Sequence, residues 1–158
     1  MKKIYLCFLS LVTLCLFPLV VNAASGTIRV TGSANAVVGN QVKVTVTLAS
    51  STKIGSWQMD LNYDKSYLSL VNSSAEGGGT SMASSSATGV KSKSYTFTFK
   101  VLKSGNTKVS VNSYLAYAFS DLSQLSLTSS SLSIKLMTQK ELEATYSKDN
   151  NLKSLSIE

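Results

Sequence analysis

The feature that most restricts the fold is a stretch of alternating apolar and polar residues between Val38 and Val71. Two successive segments, residues 41–49 and 55–63, place an apolar residue at almost every second position. Alternation with period two is typical of a β-strand that buries one face only. We therefore predict an all-β fold in which inward-facing side chains from two sheets share one core.

The alternation also assigns side chains to the two faces of these strands. Trp57 could stack on a sugar ring, but it lies on the apolar side of the 55–63 segment, so we predict that it is buried in the core. The predicted inward residues are Val42, Val44, Val46, Leu48, Trp57, Met59, Leu61 and Tyr63. The predicted outward residues of the second segment are Ser56, Gln58, Asp60 and Asn62.

Further strands are predicted where alternation returns along the chain. Gly39-Asn40, residues 64–66 and residues 104–106 are predicted turns, and the last of them predicts a hairpin. Residues 50–53 are predicted to be a loop, and so are the Ser/Gly-rich residues 73–89, with room for a weak edge strand. The predicted strands cover residues 27–31, 41–49, 55–63, 67–71, 94–102, 107–111 and 131–137.

The aromatic segment 114–119 has two interpretations. Tyr114, Tyr117 and Phe119 are candidates for a surface aromatic patch. However, Tyr117 and Phe119 are two positions apart and share one side of a strand. Burial in the core is therefore the default expectation for them.

Residues 1–23 have the pattern of a secretory signal peptide. Lys2 and Lys3 precede a long apolar stretch, and small residues at the end of that stretch predict cleavage after Ala23, with Ala24 as the alternative. An uncleaved membrane anchor is the competing interpretation. We expect a secreted or cell-surface protein that meets a membrane only during export.

Cysteine usage and charge restrict the chemistry of the mature chain. Cys7 and Cys15 both lie in the leader, so the mature chain can form no disulfide or thiolate zinc site. A small exported domain without disulfides is typical of bacteria, and we expect a Gram-positive source. Loss of Lys2 and Lys3 lowers the formal net charge from +7 to +5. The remaining lysines are scattered as on a solvated surface, so no nucleic-acid partner is predicted.

The sequence does not predict an enzyme, a metal site or a cofactor. The chain contains no histidine, which is the commonest general base, and its carboxylates are few. Asp60 to Asp64 imitates the start of a calcium-binding EF-hand loop. Lys65 then stands where that loop needs glycine, and Val71 stands where it needs glutamate. A turn formed by Asp64 explains the segment better.

The pattern changes after Met137. Thr138 and Glu141 fit a capping box, which predicts a short helix continuing over residues 142–146. Residues 147–151 are then predicted to be a polar linker, and alternation restarts over residues 152–157. We therefore divide the chain into a signal peptide (1–23), a β-sandwich (25–137) and a helix with linker into a truncated next domain (138–158).

Three segments carry a family resemblance: AVVGNQVKV (36–44), IGSWQMDLNYD (54–64) and YTFTFKV (95–101). In their order and spacing they resemble bacterial cohesin-type domains, and the resemblance covers residues 27–137. It implies a jelly-roll β-sandwich of about nine strands, related in fold to carbohydrate-binding modules. Asn40 stands where the family usually has aspartate, and Lys65 where it has proline. Residues 150–158 separately resemble the start of a cadherin-like β-sandwich repeat.

The resemblance implies a non-catalytic module that docks a dockerin-like or other surface protein in a polysaccharide-degrading or surface assembly. In cohesins the outward face of the third strand contributes to the partner surface, which here is Ser56, Gln58, Asp60 and Asn62. A carbohydrate-binding module is an alternative, with Tyr114 and Tyr67 as the candidate stacking residues. A structural spacer in a surface adhesin is another.

Overall fold

The computed structural model describes residues 24–155, with side chains described for residues 24–148. The predicted signal peptide, residues 1–23, lies outside this range. The described chain forms eight β-strands followed by one helix, α1 (Gln139–Leu155). The strands are β1 (Ser25–Gly32), β2 (Asn35–Val37), β3 (Gln41–Tyr63), β4 (Leu68–Ser73), β5 (Ser81–Val101), β6 (Gly105–Ala118), β7 (Ser126–Ser129) and β8 (Leu132–Met137).

Two long strands, β3 and β5, each take part in both halves of a curled β-sandwich. In sheet I, the first half of β3 pairs with β1 and with the second half of β5. The edges of this sheet are β7, parallel to β1, and β4, antiparallel to β5. In sheet II, the second half of β3 pairs with β6 and with the start of β5, and β6 leads on to β8 and β2. The predicted all-β sandwich is confirmed.

The chain crosses between the sheets without leaving the extended conformation. Residues 50–53 were predicted to be a loop, and this prediction is wrong because β3 runs through them. The pairing register shifts between Ala49 and Ile54, so the bend is an irregularity within one strand. Ser50 Oγ donates a hydrogen bond of 2.9 Å to the Ser25 carbonyl, which fixes the bend against the start of β1.

The core is built around the predicted inward side chains of β3. Val44, Val46 and Leu48 of β3 are fully buried, and they pack in one cluster with Phe97 and Phe99 of β5. Sheet II closes the core with Met59 of β3, Val109 and Ala116 of β6, and Ile134 of β8. Because two sheets supply this cluster, removal of apolar surface from water is the main force holding them together.

The hairpin predicted at residues 104–106 is wrong. β5 ends at Val101 and β6 begins at Gly105, yet β5 pairs with β3 and β4, whereas β6 pairs with β3 and β8. The turn therefore takes the chain from sheet I to sheet II. The Leu102 amide donates a 2.8 Å hydrogen bond to the Tyr67 carbonyl, which ties the turn to the start of β4.

The Ser/Gly-rich segment 73–89 is a loop only in its first part. β5 begins at Ser81, and residues 81–85 pair with residues 56–60 of β3 along the edge of sheet II. Met82 is the large apolar residue of the segment and is fully buried. Backbone pairing and this one inward side chain are sufficient to hold the strand, so the loop prediction is confirmed for the first part of the segment and the weak edge strand is found in the second part.

The helix begins as predicted and continues further than predicted. Glu141 Oε2 accepts a 2.7 Å hydrogen bond from the Thr138 amide, and the Glu141 amide donates one of 3.2 Å to Thr138 Oγ1, which confirms the capping box. The backbone stays helical through Leu155. The linker at 147–151 and the strand starting at Leu152 are therefore wrong, and residues 156–158 lie outside the described chain.

One buried hydroxyl should be replaceable with a gain in stability. Thr107 on β6 is 8% exposed, and its Oγ1 finds no hydrogen-bond partner among residues 24–148. Thr107→Val keeps the shape and removes an unsatisfied polar atom, so we expect the free energy of unfolding to rise by about 1 kcal/mol. Urea unfolding measures the change, with Thr128→Val at an exposed site of β7 as the control. An unchanged or lowered stability would show that the hydroxyl is satisfied in solution.

Candidate functional site

The outward row of β3 in sheet II lies where the sequence placed it. Gln58 and Asn62 are exposed, and Ser56 and Asp60 are half-buried, whereas the intervening Trp57, Met59 and Leu61 point into the core. Strand alternation alone accounts for this separation. The four polar side chains therefore share one surface, the outer face of sheet II.

The neighbouring strand β6 adds large apolar side chains to this face. Tyr117 is the register partner of Ser56, and Leu115 is the partner of Gln58. Leu115 is 42% exposed and Tyr117 is 36% exposed. Side chains opposite each other on paired strands are close neighbours. These residues, together with Trp57 beneath them, line a shallow depression at the centre of the face.

A β-bulge turns these residues outward. Ser113 has a positive φ of 49°, and the register between β3 and β6 shifts between Gln58 and Asp60. Before the bulge, Val109 and Val111 face the core; after it, Ala116 and Ala118 do so. The default expectation that Tyr117 and Phe119 are core residues is therefore wrong. The sequence of residues 114–119 gave no signal for this reversal, because the larger side chains continue the inward positions set by Val109 and Val111.

The other neighbour of β3 carries small side chains. Ser81, Ala83 and Ser85 of β5 are exposed and stand beside Asp60, Gln58 and Ser56. Because these side chains are short, the apolar pair on β6 is the most prominent part of the face. The outer face of sheet II thus combines the apolar pair on β6, the polar row on β3 and the short side chains on β5. Such a combination is typical of protein interfaces, where aromatic and large aliphatic residues are surrounded by polar ones.

The turn after β6 extends the apolar pair. Phe119 is 40% exposed and packs over Gly89, while Leu122 is 73% exposed with a positive φ of 57°. The carboxylate of Asp121 holds this turn by accepting hydrogen bonds from the Ser123 amide (3.0 Å) and hydroxyl (2.8 Å). These bonds stabilise the charged form and lower the pKa of Asp121 below its usual value.

A buried aromatic pair supports the face from below. Trp57 is 5% exposed, which confirms the prediction that it belongs to the core. Its Nε1 donates a 2.7 Å hydrogen bond to Tyr95 Oη across the sandwich. Burial raises the pKa of the Tyr95 phenol, and the bond from Trp57 opposes that rise. Trp57 is therefore held by a partner of its own, which leaves it unsuited to stack on a sugar.

The two candidate stacking residues belong to different parts of the sandwich. Tyr67 precedes β4 and is half-buried; its ring lies under Lys103, with Nζ 4.3 Å from the ring centroid. Tyr114 lies on β6 in sheet II and packs in part against the core. The structure does not place them on one strand or one sheet, and their role as stacking residues stays a prediction.

Two carboxylates, Asp64 and Glu76, have structural partners. Asp64 Oδ1 accepts a 2.8 Å hydrogen bond from the Ser66 amide, which forms the predicted turn, and hydrogen bonding at Ser66 lowers the pKa of Asp64. Glu76 accepts a 2.7 Å hydrogen bond from the Ser84 hydroxyl. Within the part of the chain that the structure describes, no three His, Cys, Asp or Glu side chains come close enough to hold a metal ion.

A family assignment follows from the sequence and agrees with this architecture. The family model described as the cohesin domain matches residues 26–136. The chain belongs to the cohesin domain family. Cohesin domains are non-catalytic binding modules. No curated protein is similar enough in sequence to count as a relative.

Solved cohesin structures share the fold. The chain is similar to a type II cohesin solved in a cohesin–X–dockerin complex of Acetivibrio cellulolyticus, with 15% identity, a TM-score of 0.53 and coverage of 72% of this chain and 100% of that chain. It is also similar to the second type II cohesin module of the cellulosomal adaptor ScaA scaffoldin of the same organism. That match has 16% identity, a TM-score of 0.50 and coverage of 71% and 97%. At such identities the likeness concerns the fold alone.

Within residues 24–155, no helix is long and apolar enough to cross a membrane.

Proposed function

We propose that this cohesin domain is a protein-docking module that binds its partner through the outer face of sheet II. The observation that carries the proposal is the exposure of Leu115 and Tyr117 beside the polar row of β3. Large apolar side chains at the centre of a polar face lose contact with water when a partner covers them, and such residues dominate binding energies.

The partner that fits this proposal is a dockerin-like module. A similar type II cohesin was solved in a complex with a dockerin, and the face proposed here includes Ser56, Gln58, Asp60 and Asn62, the residues suggested by family resemblance. Ser56, Gln58 and Asn62 are uncharged, so the partner needs to offer mainly apolar and hydrogen-bonding groups, with a cation or a hydrogen-bond donor opposite Asp60. We further propose that the module works outside the cell, exported by the leader at residues 1–23, in a surface or polysaccharide-degrading assembly.

The proposal is tested by binding measurements against a panel of dockerin modules. We expect at least one to bind with 1:1 stoichiometry, and we expect Leu115→Glu to weaken that binding at least tenfold, because it would bury an unpaired charge in the interface. Val71→Glu is the matched control, since Val71 is a 53% exposed aliphatic residue on β4 of sheet I. Isothermal titration calorimetry gives both the affinity and the stoichiometry.

Other outcomes would distinguish the alternatives. Equal losses for Leu115→Glu and Val71→Glu would place the partner surface elsewhere. Retention on insoluble polysaccharide that is abolished by Tyr114→Ala or Tyr67→Ala, without binding to any dockerin, would indicate a carbohydrate-binding module. Binding to neither class would favour a structural spacer, and a further repeat beyond residue 158 would add support for that role.

A further inference from the structure

The outer face of sheet I has a charge distribution that docking through sheet II does not explain. The strand segments of this sheet contain no aspartate or glutamate, whereas Arg29, Lys43 and Lys100 are exposed at their outward positions. Carboxylates of the described side chains lie instead on sheet II, on turns and loops, and on the helix: Asp60, Asp64, Glu76, Asp121, Glu141 and Glu143. Positive charge on this face is therefore not neutralised by its neighbours.

The three cations form a diagonal line across three adjacent strands. Lys43 lies on β3, the middle strand. Lys100 of β5 pairs with Gln41, two positions before Lys43. Arg29 of β1 pairs with Thr47, four positions after Lys43. From standard strand spacings, Lys100 and Lys43 are about 8 Å apart at the backbone, and Lys43 and Arg29 about 14 Å. The long side chains can narrow both gaps.

Hydroxyl groups occupy the space between the charges. Thr31, Thr45 and Thr96 are register partners on three neighbouring strands and lie between Lys43 and Arg29. In the next row, Thr47 Oγ1 and Ser94 Oγ share a hydrogen bond of 2.9 Å. The large aromatic residues of β5, Tyr95, Phe97 and Phe99, face the core. The face thus offers charge and hydroxyl donors to a ligand, and its β5 strand offers no ring for sugar stacking.

We propose that this face binds a linear, phosphodiester-linked polyanion of the polyol phosphate type. Charge complementarity selects the ligand: a polymer with a phosphate in every unit places successive negative charges along the diagonal of Lys100, Lys43 and Arg29. The Thr45 and Thr96 hydroxyls donate hydrogen bonds to phosphate oxygens between the cations, whereas Thr31 Oγ1 donates to the Thr45 carbonyl (3.4 Å). The domain could then hold an anionic polymer on sheet I while sheet II remains free for a protein partner.

The test uses purified poly(glycerol phosphate) immobilised on a sensor and the mature protein in solution. We expect the triple variant Arg29→Gln, Lys43→Gln, Lys100→Gln to bind at least tenfold more weakly at 50 mM salt. The matched control is the triple variant Lys108→Gln, Lys135→Gln, Lys140→Gln, which removes the same charge from sheet II and the helix, and it should lose less than twofold. For the unchanged protein, the slope of log K against log salt should be about −2, as for three phosphate contacts on a flexible strand.

Each outcome decides the proposal. Selective loss in the sheet I variant supports it, and binding that survives Leu115→Glu shows that the polymer and the docking partner use separate faces. Equal loss in both triple variants would mean attraction to net charge alone and would overturn it. Absence of binding, equal binding to a neutral glucan, or a preference for vesicles of anionic lipid over the polymer would overturn it as well. All six substituted side chains are exposed, so circular dichroism should show an unchanged fold in both variants.

Discussion

Replacing Phe99 with alanine should lower the free energy of unfolding by about 3–5 kcal/mol. Phe99 is fully buried on β5, between Val42 of β3 and Leu70 of β4 in the register of sheet I. Its ring centroid is 4.7 Å from that of Tyr63, with the planes tilted by 58°. The substitution removes these contacts and leaves a cavity that closes only if the surrounding strands move. Urea unfolding followed by the fluorescence of Trp57, the single tryptophan of the chain, measures the loss.

The neighbouring residue provides the control for this prediction. Thr98 lies on the same strand with its side chain on the outer face, where it is half-buried. Thr98→Ala should cost less than about 1 kcal/mol, since it changes strand propensity and surface contacts only. If the two substitutions cost the same, the interior of this sandwich is not formed by the inward side chains of β5, and the described core is wrong.

Replacing Gly105 with alanine should lower the free energy of unfolding by about 2–4 kcal/mol. Gly105 has a φ of +139°, and a Cβ at this position would lie 2.6 Å from Tyr67 Cε1. The cost has two parts, because the backbone conformation is unfavourable for an L-residue and the Tyr67 ring must move from its place under Lys103. The same urea titration measures it.

A second glycine separates these two contributions. Gly77 also has a positive φ, +84°, but nothing lies within 4 Å of the Cβ that alanine would add. Gly77→Ala should therefore cost about 1 kcal/mol, the backbone term alone. A cost at Gly105 no larger than that at Gly77 would contradict the proposed packing of Tyr67 on the turn between the sheets.

Local patterns in the sequence were sufficient to predict much of the sandwich. The alternation of β3 predicted the burial of Trp57 and the outward row from Ser56 to Asn62, because adjacent side chains of an extended strand must point to opposite faces. The turn at Asp64 and the capping box at Thr138 were predictable for a similar reason. Each depends on hydrogen bonds between residues two or three positions apart.

The sequence predictions failed where pairing with distant segments decides the structure of a stretch of chain. The turn at residues 104–106 suits a hairpin, but β3 lies between β5 and β6 and pairs with both of them, so the turn joins two sheets. The capping box defines where the helix begins and carries no information on where it ends. Leu155 and Ile157 keep the period-two spacing of the predicted strand, whereas Leu152 and Leu155 are three positions apart, a spacing that suits one face of a helix.

The candidate site was predicted only in part. The polar row of β3 follows from alternation, and the assignment of its role came from family resemblance. The apolar pair of Leu115 and Tyr117 did not follow, because the bulge at Ser113 reverses the alternation halfway along β6. A one-residue irregularity changes which face every later residue occupies, and its position depends on the register with β3.

By itself, the amino-acid order determined the class of fold, the inward residues of each regular strand and the local turns and cap. Only the tertiary structure decided which strands are neighbours, how β3 and β5 are shared between two sheets and which side chains lie together on each outer surface. The physical reason is one of range. The direction of a side chain is set by the few bonds around it, whereas pairing and register are set by which distant segments bury the most apolar surface together.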